Sequence, residues 1–255
     1  MLVYVFGGQG FIGSAFCRYL KSKNIKYISL NRKNYKNFFN TKCDIFINCN
    51  GNSVKWLSEK NYKDDFHKNV ISTYNTLKNY NFKKYILISS GEVYNKNLKI
   101  KKEISKIYLN NLSNYGLNKI ISEQIVTRIC NNYLIFRMGG FVGSGLKKNI
   151  IYDLVNKKKI WSSPQSIFQF IDVDMVPPII FKIMKKSKND IFNLTGDKGL
   201  KVKKIINLLE AEVKFANKIR IEKNHLNLEK IKKIVKIPST QQVLLSYYDS
   251  IKNPN

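Results

Sequence analysis

Acidic side chains are scarce in this chain: 17 Asp and Glu stand against 45 Lys and Arg, a formal charge of +28 at pH 7. The cations are nearly all lysine and are spread along the whole chain. Nucleic-acid sites instead tend to gather arginine and aromatic residues on one element. A nucleic-acid partner is therefore not expected, and the field is expected to speed the approach of phosphate-bearing small molecules. Histidine is rarer still, with two residues, and the four cysteines form no C-x-x-C pair and adjoin no histidine cluster. That excludes a disulfide scaffold and gives no reason to expect a metal; it fits reduced, buried thiols in a cytoplasmic protein. Long apolar runs are missing as well. The most apolar stretch, VPPIIFKIM at 176 to 184, contains a proline pair and a lysine and falls far short of the roughly 20 residues of a membrane helix. The opening MLVYVFGGQGFIG has no basic region before its apolar run and no small-residue cleavage pattern after it, so it reads as a strand and not a secretory signal. No membrane partner is expected. No internal repeat or low-complexity linker interrupts the 255 residues, enough for one large domain or a core with a smaller companion.

What is present is an alternation of strand and helix signals. LVYVF (2 to 6) ends in a glycine turn and runs into FIGSAFCRYLKSK, which has helical periodicity. KYISL (26 to 30), DIFINCN (44 to 50), KKYILISS (83 to 90) and YLIFRM (133 to 138) read as further strands, with helical patterns over 64 to 80 and 114 to about 130. Alternation at this spacing predicts parallel pairing through right-handed crossovers: an α/β fold with a doubly wound parallel sheet, the Rossmann arrangement. After about residue 140 the pattern loosens. GFVGSG reads as a loop, KKNIIYDLVNKK as a helix, DIFNLTG (190 to 196) as a late strand, and the tail as two short helices broken at Pro238. The division expected is a dinucleotide-binding domain over 1–138 and a small substrate subdomain over 139–255, partly interleaved with the core.

Gly7, Gly10 and Gly13 follow the first strand with GxxGxxG spacing and open a helix. The first glycine suits a tight turn, the second a close approach of pyrophosphate to backbone N–H groups, the third close helix packing. Phe11 and Ile12 fall between the second and third and share that cofactor-binding turn. At the end of the second strand, where a carboxylate would accept hydrogen bonds from an adenosine ribose, stand Asn31, Arg32 and Lys33. Two cations and no acid favour NADP over NAD; the competing reading is a solvated lysine-rich loop.

A second constellation carries reactive groups. Ser89-Ser90-Gly91-Glu92-Val93-Tyr94 places hydroxyls at a strand carboxyl end, where open α/β sheets bind ligands. Tyr115 and Lys119 lie four apart on one helix face. An ammonium beside a phenol favours phenolate, so the tyrosine pKa is expected to fall from its ordinary value near 10, making Tyr115 an acid and base. A serine hydroxyl near the substrate oxygen would share its developing charge.

Taken in this order, the glycine turn, the Ser-Ser-Gly-Glu-Val-Tyr stretch and the Tyr-Gly-x-x-Lys stretch give a chain that resembles the extended short-chain dehydrogenase/reductase family, the NAD-dependent epimerase/dehydratase type, over nearly its whole length. Asn69-Val70 with Thr73, Asn75 and Leu77, Phe170 to Asp174, and Phe192 to Gly196 resemble further family segments. The resemblance implies that Tyr115 passes the proton, Lys119 holds the nicotinamide ribose, Ser90 binds the reacting oxygen, and Asn50 and Gly51 line the cofactor pocket. It also implies an oxidoreductase or epimerase acting on a sugar carbon, with a nucleotide sugar as substrate and a possible homodimer through the Tyr115 and Asn69 helices. Several positions depart from the pattern. The stretch 31 to 43 is short, so a strand and helix common in the family look trimmed. Gly91-Glu92 stands where dehydratases carry Asp-Glu, which leaves Glu92 as base without an acid partner. Gly140 stands where nucleotide-sugar enzymes often place an asparagine that contacts the substrate diphosphate.

Other residues invite plainer readings. His67 and His225 read as surface residues, Trp56 and Trp161 as core packing or stacking platforms, Lys147 and Lys148 as a solvated helix start or a phosphate contact. The alternative from another class is a non-catalytic NAD(P)-binding scaffold or sensor. An intact Ser90, Tyr115 and Lys119 argues against it, because a scaffold has no need of all three.

Overall fold

The computed structural model describes residues 1–52, 55–98 and 100–253. The N-terminal part runs β1 (Leu2–Phe6), α1 (Phe11–Ser22), β2 (Lys26–Leu30), β3 (Lys42–Asn48), α2 (Lys55–Lys60), α3 (Tyr62–Phe66), α4 (Ser72–Asn79), β4 (Asn81–Ser90), α5 (Asn114–Ile129) and β5 (Tyr133–Met138). The remainder runs β6 (Gly140–Val142), α6 (Ile150–Val155), β7 (Lys159–Ser162), β8 (Ile167–Phe168), β9 (Phe170–Asp172), α7 (Val176–Met184), β10 (Asp190–Leu194), β11 (Leu200–Lys201), α8 (Val202–Leu208), β12 (Lys214–Arg220), α9 (Glu229–Lys232) and α10 (Thr240–Lys252). No helix among the described residues is long and apolar enough to cross a membrane.

Six strands form one sheet in the order β10-β5-β4-β3-β1-β2, with every pair parallel. Because side chains alternate along a strand, a sheet covered on both faces needs apolar residues at every position. That is why the strand segments read as unbroken apolar runs. Val3 and Val5 of β1 pack with Phe16, Ile45, Ile47, Ile86 and Ile88 on one face. Tyr4 and Phe6 pack with Leu30, Phe46, Tyr85 and Leu87 on the other. The first face is covered by α1 and α7, which contribute Phe16, Leu20, Val176 and Ile180. The chain moves from β1 outward to β2 and then crosses back to β3 on the opposite side. This reversal opens a crevice at the carboxyl ends of β1 and β3, where such sheets take up ligands.

The later half departs from the loop-and-helix reading. GFVGSG holds a short strand, β6, parallel to β9; a Cβ at Gly140 would stand 2.6 Å from the Phe170 ring, so its glycine allows the close pairing. The helix expected over 147 to 158 is confined to α6, because Asn149 has φ of 138° and its side chain caps the Tyr152 N–H. The parallel pair β7 and β12 was not legible in its lysine-rich sequence. A small third core gathers Val142, Ile151, Leu154, Ile160, Phe170, Val202 and Leu244, while β10 leaves that region and completes the main sheet beside β5.

Candidate active site

The glycine turn is built around two backbone requirements. Gly7 has φ of +79°, and a Cβ there would meet the Asn50 backbone N at 3.0 Å. At Gly13 a Cβ would stand 2.1 Å from the Gly7 carbonyl oxygen, so only glycine lets α1 pack directly on the turn. The Gly10 N–H donates to Gly7 O at 2.9 Å, and the first intrahelical bond runs from Ser14 N–H to Gly10 O. The N–H groups of Phe11, Ile12 and Gly13 at the helix start are thus left without intrahelical acceptors, as in any first turn. Gly10 provides no side-chain cap, and the first turn of α1 holds no acidic residue. Such an end suits an anion. The Phe11 ring packs edge-on against Phe141, centroids 6.2 Å apart.

Beside this turn, the end of β2 is organised by amide side chains. Asn31 Oδ1 accepts the Lys33 N–H at 2.8 Å, Asn34 Oδ1 accepts the Asn31 N–H at 2.8 Å, and Asn34 Nδ2 donates to Ser29 O. Asn31 therefore spends its side chain on its own loop, and Arg32 and Lys33 are exposed. On the other side of β1, Asn50 donates to Ser72 Oγ at 2.8 Å while its backbone lies against Gly7. Gly51, at φ of +138°, faces the buried amine: a Cβ there would lie 3.1 Å from Lys119 Nζ and 2.4 Å from Asn69 Oδ1.

Ser90, Tyr115 and Lys119 are brought together by β4 and α5. Ser90 ends β4, accepts the Glu92 N–H at 3.2 Å and has its hydroxyl close enough to the Tyr115 phenol to favour the ionised form. Its neighbour Ser89 points to the other face and donates to Glu123, which is buried in a multiply bonded ion pair with Arg137, Nη2 to Oε2 2.8 Å. The alternation along β4 thus assigns one hydroxyl to the site and the other to the frame. Ser113 caps α5, and a Cβ at Gly116 would stand 2.4 Å from Glu92 O. The glycine that follows Tyr115 therefore sets how closely the helix meets the Ser90 turn. Lys119 Nζ lies 5.8 Å from the Tyr115 ring centroid.

The electrostatics differ from the sequence expectation. Burial raises the Tyr115 pKa; the Ser90 hydroxyl pulls the other way, and the negative charges of Glu92 and Asp65 add to the rise. Lys119 is not among the groups that lower it: burial pulls that ammonium down to about 8 against the opposing pull of Asp65, Glu123 and Cys49, so it has lost its charge before the phenol titrates. The phenol is thus held as a proton donor. Glu92 is half-buried and paired with Lys55 Nζ, a partner the sequence did not signal because Lys55 is one lysine among many. Asn69 Oδ1 lies beside Lys119 Nζ at Gly51, and the Asp65 carboxylate bonded to Asn69 and Asn118 was not singled out. Its only signal was the helical spacing of an Asp-x-x-x-Asn segment.

Trp56 and Trp161 are 60% and 62% exposed and so do not pack in the core. His67 and His225 are exposed as well. The four cysteines are free, and no cluster of potential metal ligands exists among the described residues.

A model of the NAD dependent epimerase/dehydratase family matches residues 3–195. The chain belongs to that family. No curated protein matches it in sequence. Among solved structures, a UDP-glucose 4-epimerase from Thermotoga maritima with UDP-glucose superposes with a TM-score of 0.81 at 18% identity, covering 99% of both chains. A dTDP-4-dehydrorhamnose reductase from Bacillus anthracis in complex with NADP superposes at 0.79 with 16% identity, covering 99% of this chain and 98% of that one. A UDP-glucuronic acid 4-epimerase from Bacillus cereus in complex with NAD gives 0.79 at 18% identity, covering 99% of both. These likenesses establish the shared fold of this epimerase/dehydratase-family chain, whose structural neighbours bind NAD or NADP.

Proposed function

We propose that this epimerase/dehydratase-family protein is an NAD(P)-dependent oxidoreductase or epimerase acting on a sugar carbon of a nucleotide sugar, with NADP favoured. The observation that carries the reading is the convergence of Ser90, Tyr115 and Lys119 at the carboxyl edge of β4, two strands across the sheet from the β1 that carries the glycine turn. The site fits a dinucleotide: Gly7 and Gly13, where Cβ atoms would press on the Asn50 and Gly7 backbone, let α1 begin directly at the turn, and the uncapped start of α1 suits a diphosphate. Exposed Arg32 and Lys33, with no acid beside them, suit a 2′-phosphate. The bound dinucleotide would supply the redox chemistry, exchanging a hydride with the sugar carbon.

The chain's own side chains do the rest. Tyr115, kept protonated by its burial, donates to the sugar oxygen in the reductive direction and takes the proton back in the oxidative one. Ser90, beside the same phenol, steadies that oxygen. Lys119, beside the tyrosine ring and under Gly51, holds the nicotinamide ribose and supplies positive charge. Dehydration is disfavoured on two observations. Glu92 is paired with Lys55, and the position of a partner acid is filled: a Cβ at Gly91 would stand 3.0 Å from Leu226 and 3.3 Å from Met138 O.

The test is calorimetric titration of the protein and of Tyr115→Phe with NAD, NADH, NADP and NADPH, followed by turnover on nucleoside-diphosphate sugars and their 4-keto forms. Both proteins are expected to bind one phosphate class of cofactor equally, and the variant is expected to lose about 10²- to 10⁴-fold in kcat. Absence of binding by all four would leave the scaffold reading in its place.

A further inference from the structure

The proton chemistry described above makes no use of one buried acid. Asp65, in α3, is fully buried. It accepts from Asn52 Nδ2 at 2.7 Å and from Asn69 Nδ2 at 3.1 Å through Oδ1, and from Asn118 Nδ2 at 2.6 Å through Oδ2. Each of these partners donates, which suits an ionised carboxylate. A lone buried carboxylate is costly unless a cation compensates it.

The two inner amides show what the carboxylate does to its surroundings. Asn69 and Asn118 are 2% and 0% exposed, and each turns its nitrogen to Asp65. Each is left with a buried Oδ1 that has no hydrogen-bond partner among the described residues. Asn69 Oδ1 faces Gly51 on the side of Lys119 Nζ. It is placed there by the π-helical turn His67–Ile71, in which the Ser72 N–H reaches back five residues to His67 O. An amide whose orientation is dictated at one end presents a fixed oxygen at the other.

The cation linked to this cluster is Lys119, whose Nζ lies with Asn69 Oδ1 around the same point beside Gly51, 3.1 and 2.4 Å from a Cβ placed there. The Tyr115 ring of its own helix lies 5.8 Å from Nζ, and the groups whose charge acts on it are Asp65 of α3, Glu123 of α5 and Cys49 after β3. Glu123 is committed to Arg137 and Ser89, and burial raises the Cys49 thiol pKa, keeping it neutral. Asp65 is therefore the one carboxylate among these without another cationic partner, and its effect on Lys119 exceeds those of Glu123 and Cys49.

We propose that Asp65 is a positioning residue that orients the Asn69 and Asn118 amides and holds Lys119 as an ammonium inside the closed site. The consequence for catalysis rests on the proposed role of Lys119, but the charge relation itself does not. Two variants separate charge from shape. Asp65→Asn keeps the shape, removes the charge and turns a donor toward the amides; Asn118→Ala removes a donor and keeps the charge. The Nζ resonance of Lys119, assigned by its loss in Lys119→Arg, is followed by NMR against pH in the full chain. The expected result in Asp65→Asn is a fall in the Lys119 pKa of roughly one unit or more. In Asn118→Ala it stays at or above its starting value. An unchanged titration in folded Asp65→Asn, or a fall in Asn118→Ala, overturns the proposal; the second arm decides it if Asp65→Asn does not fold. Where turnover is found, the alkaline limb of kcat/KM is expected to move down with the Lys119 pKa in Asp65→Asn, and Asp65→Glu to restore part of it. Because the NMR readout needs neither cofactor nor substrate, failure of the oxidoreductase reading and failure of this proposal are separate outcomes.

Discussion

At the scale of single residues, burial decides which partner of the Tyr115 and Lys119 pair titrates near neutrality. Proximity of a cation was expected to bring the phenol down, yet desolvation acts on both groups in favour of their neutral forms. The phenol rises and the ammonium falls to about 8. The sign for activity follows. Lys119 carries its charge below about pH 8 and loses it above, whereas Tyr115 keeps its proton throughout this range. If the charged lysine is needed, kcat/KM in the reductive direction is expected to fall on the alkaline side of about pH 8, by about tenfold per unit at the limit. A pH profile of the wild-type protein measures this; a limb that persists unchanged in a Lys119→Arg variant with residual activity would assign it elsewhere. The identities of Ser90, Tyr115 and Lys119 were legible because their spacing matches strand end and helix face. Asp65 was not, because an acid within a lysine-rich helix looks solvated until the fold closes over it.

At the scale of elements, the site depends on how α5 meets the turn after β4. The helix from Asn114 was readable from its periodicity and from Ser113 at its N-cap. Its distance from the Ser90 turn is set by the absence of a side chain at Gly116, facing Glu92 O. Gly116→Ala would press a methyl group into a backbone carbonyl, which cannot rotate away. It is expected to cost about 1–3 kcal/mol in thermal or denaturant unfolding and to lower kcat by separating Tyr115 from Ser90, with cofactor affinity kept. Loss of cofactor binding without loss of kcat would contradict this division of labour between α5 and the glycine turn. The π turn at His67–Ile71 left no mark in the periodicity, because one extra residue within a polar helix shifts few apolar positions.

The whole molecule adds a long-range field. With a net charge of +28, a substrate bearing a diphosphate would be drawn toward a surface on which acids are few. Raising the salt from about 0.02 M to about 0.3 M shrinks the screening length well below the protein's dimensions. The proposed activity should then lose severalfold in kcat/KM through KM, with kcat little changed. A salt-independent kcat/KM would mean that the lysines do not steer the substrate. The composition announced this field, but not which cations are used. Lys119 and Lys101 are buried, Lys55 is tied to Glu92, and Arg32 and Lys33 remain exposed at the end of β2.

By itself the sequence determined the parallel sheet and the glycine turn, because each depends on local periodicity or on residues close together along the chain, and it marked Ser90, Tyr115 and Lys119 as candidates by their places at a strand end and on a helix face. Tertiary structure alone decided what surrounds them. Asp65 meets Asn69 and Asn118 only when α3, the π turn and α5 pack together, and Glu92 meets Lys55 across 37 positions of sequence. Desolvation, which sets the charge state of the site, exists only once those elements close. The shape of the 139–255 region was equally hidden, since short strands such as β6, β7 and β12 take their form from partners distant in the chain and not from their own composition.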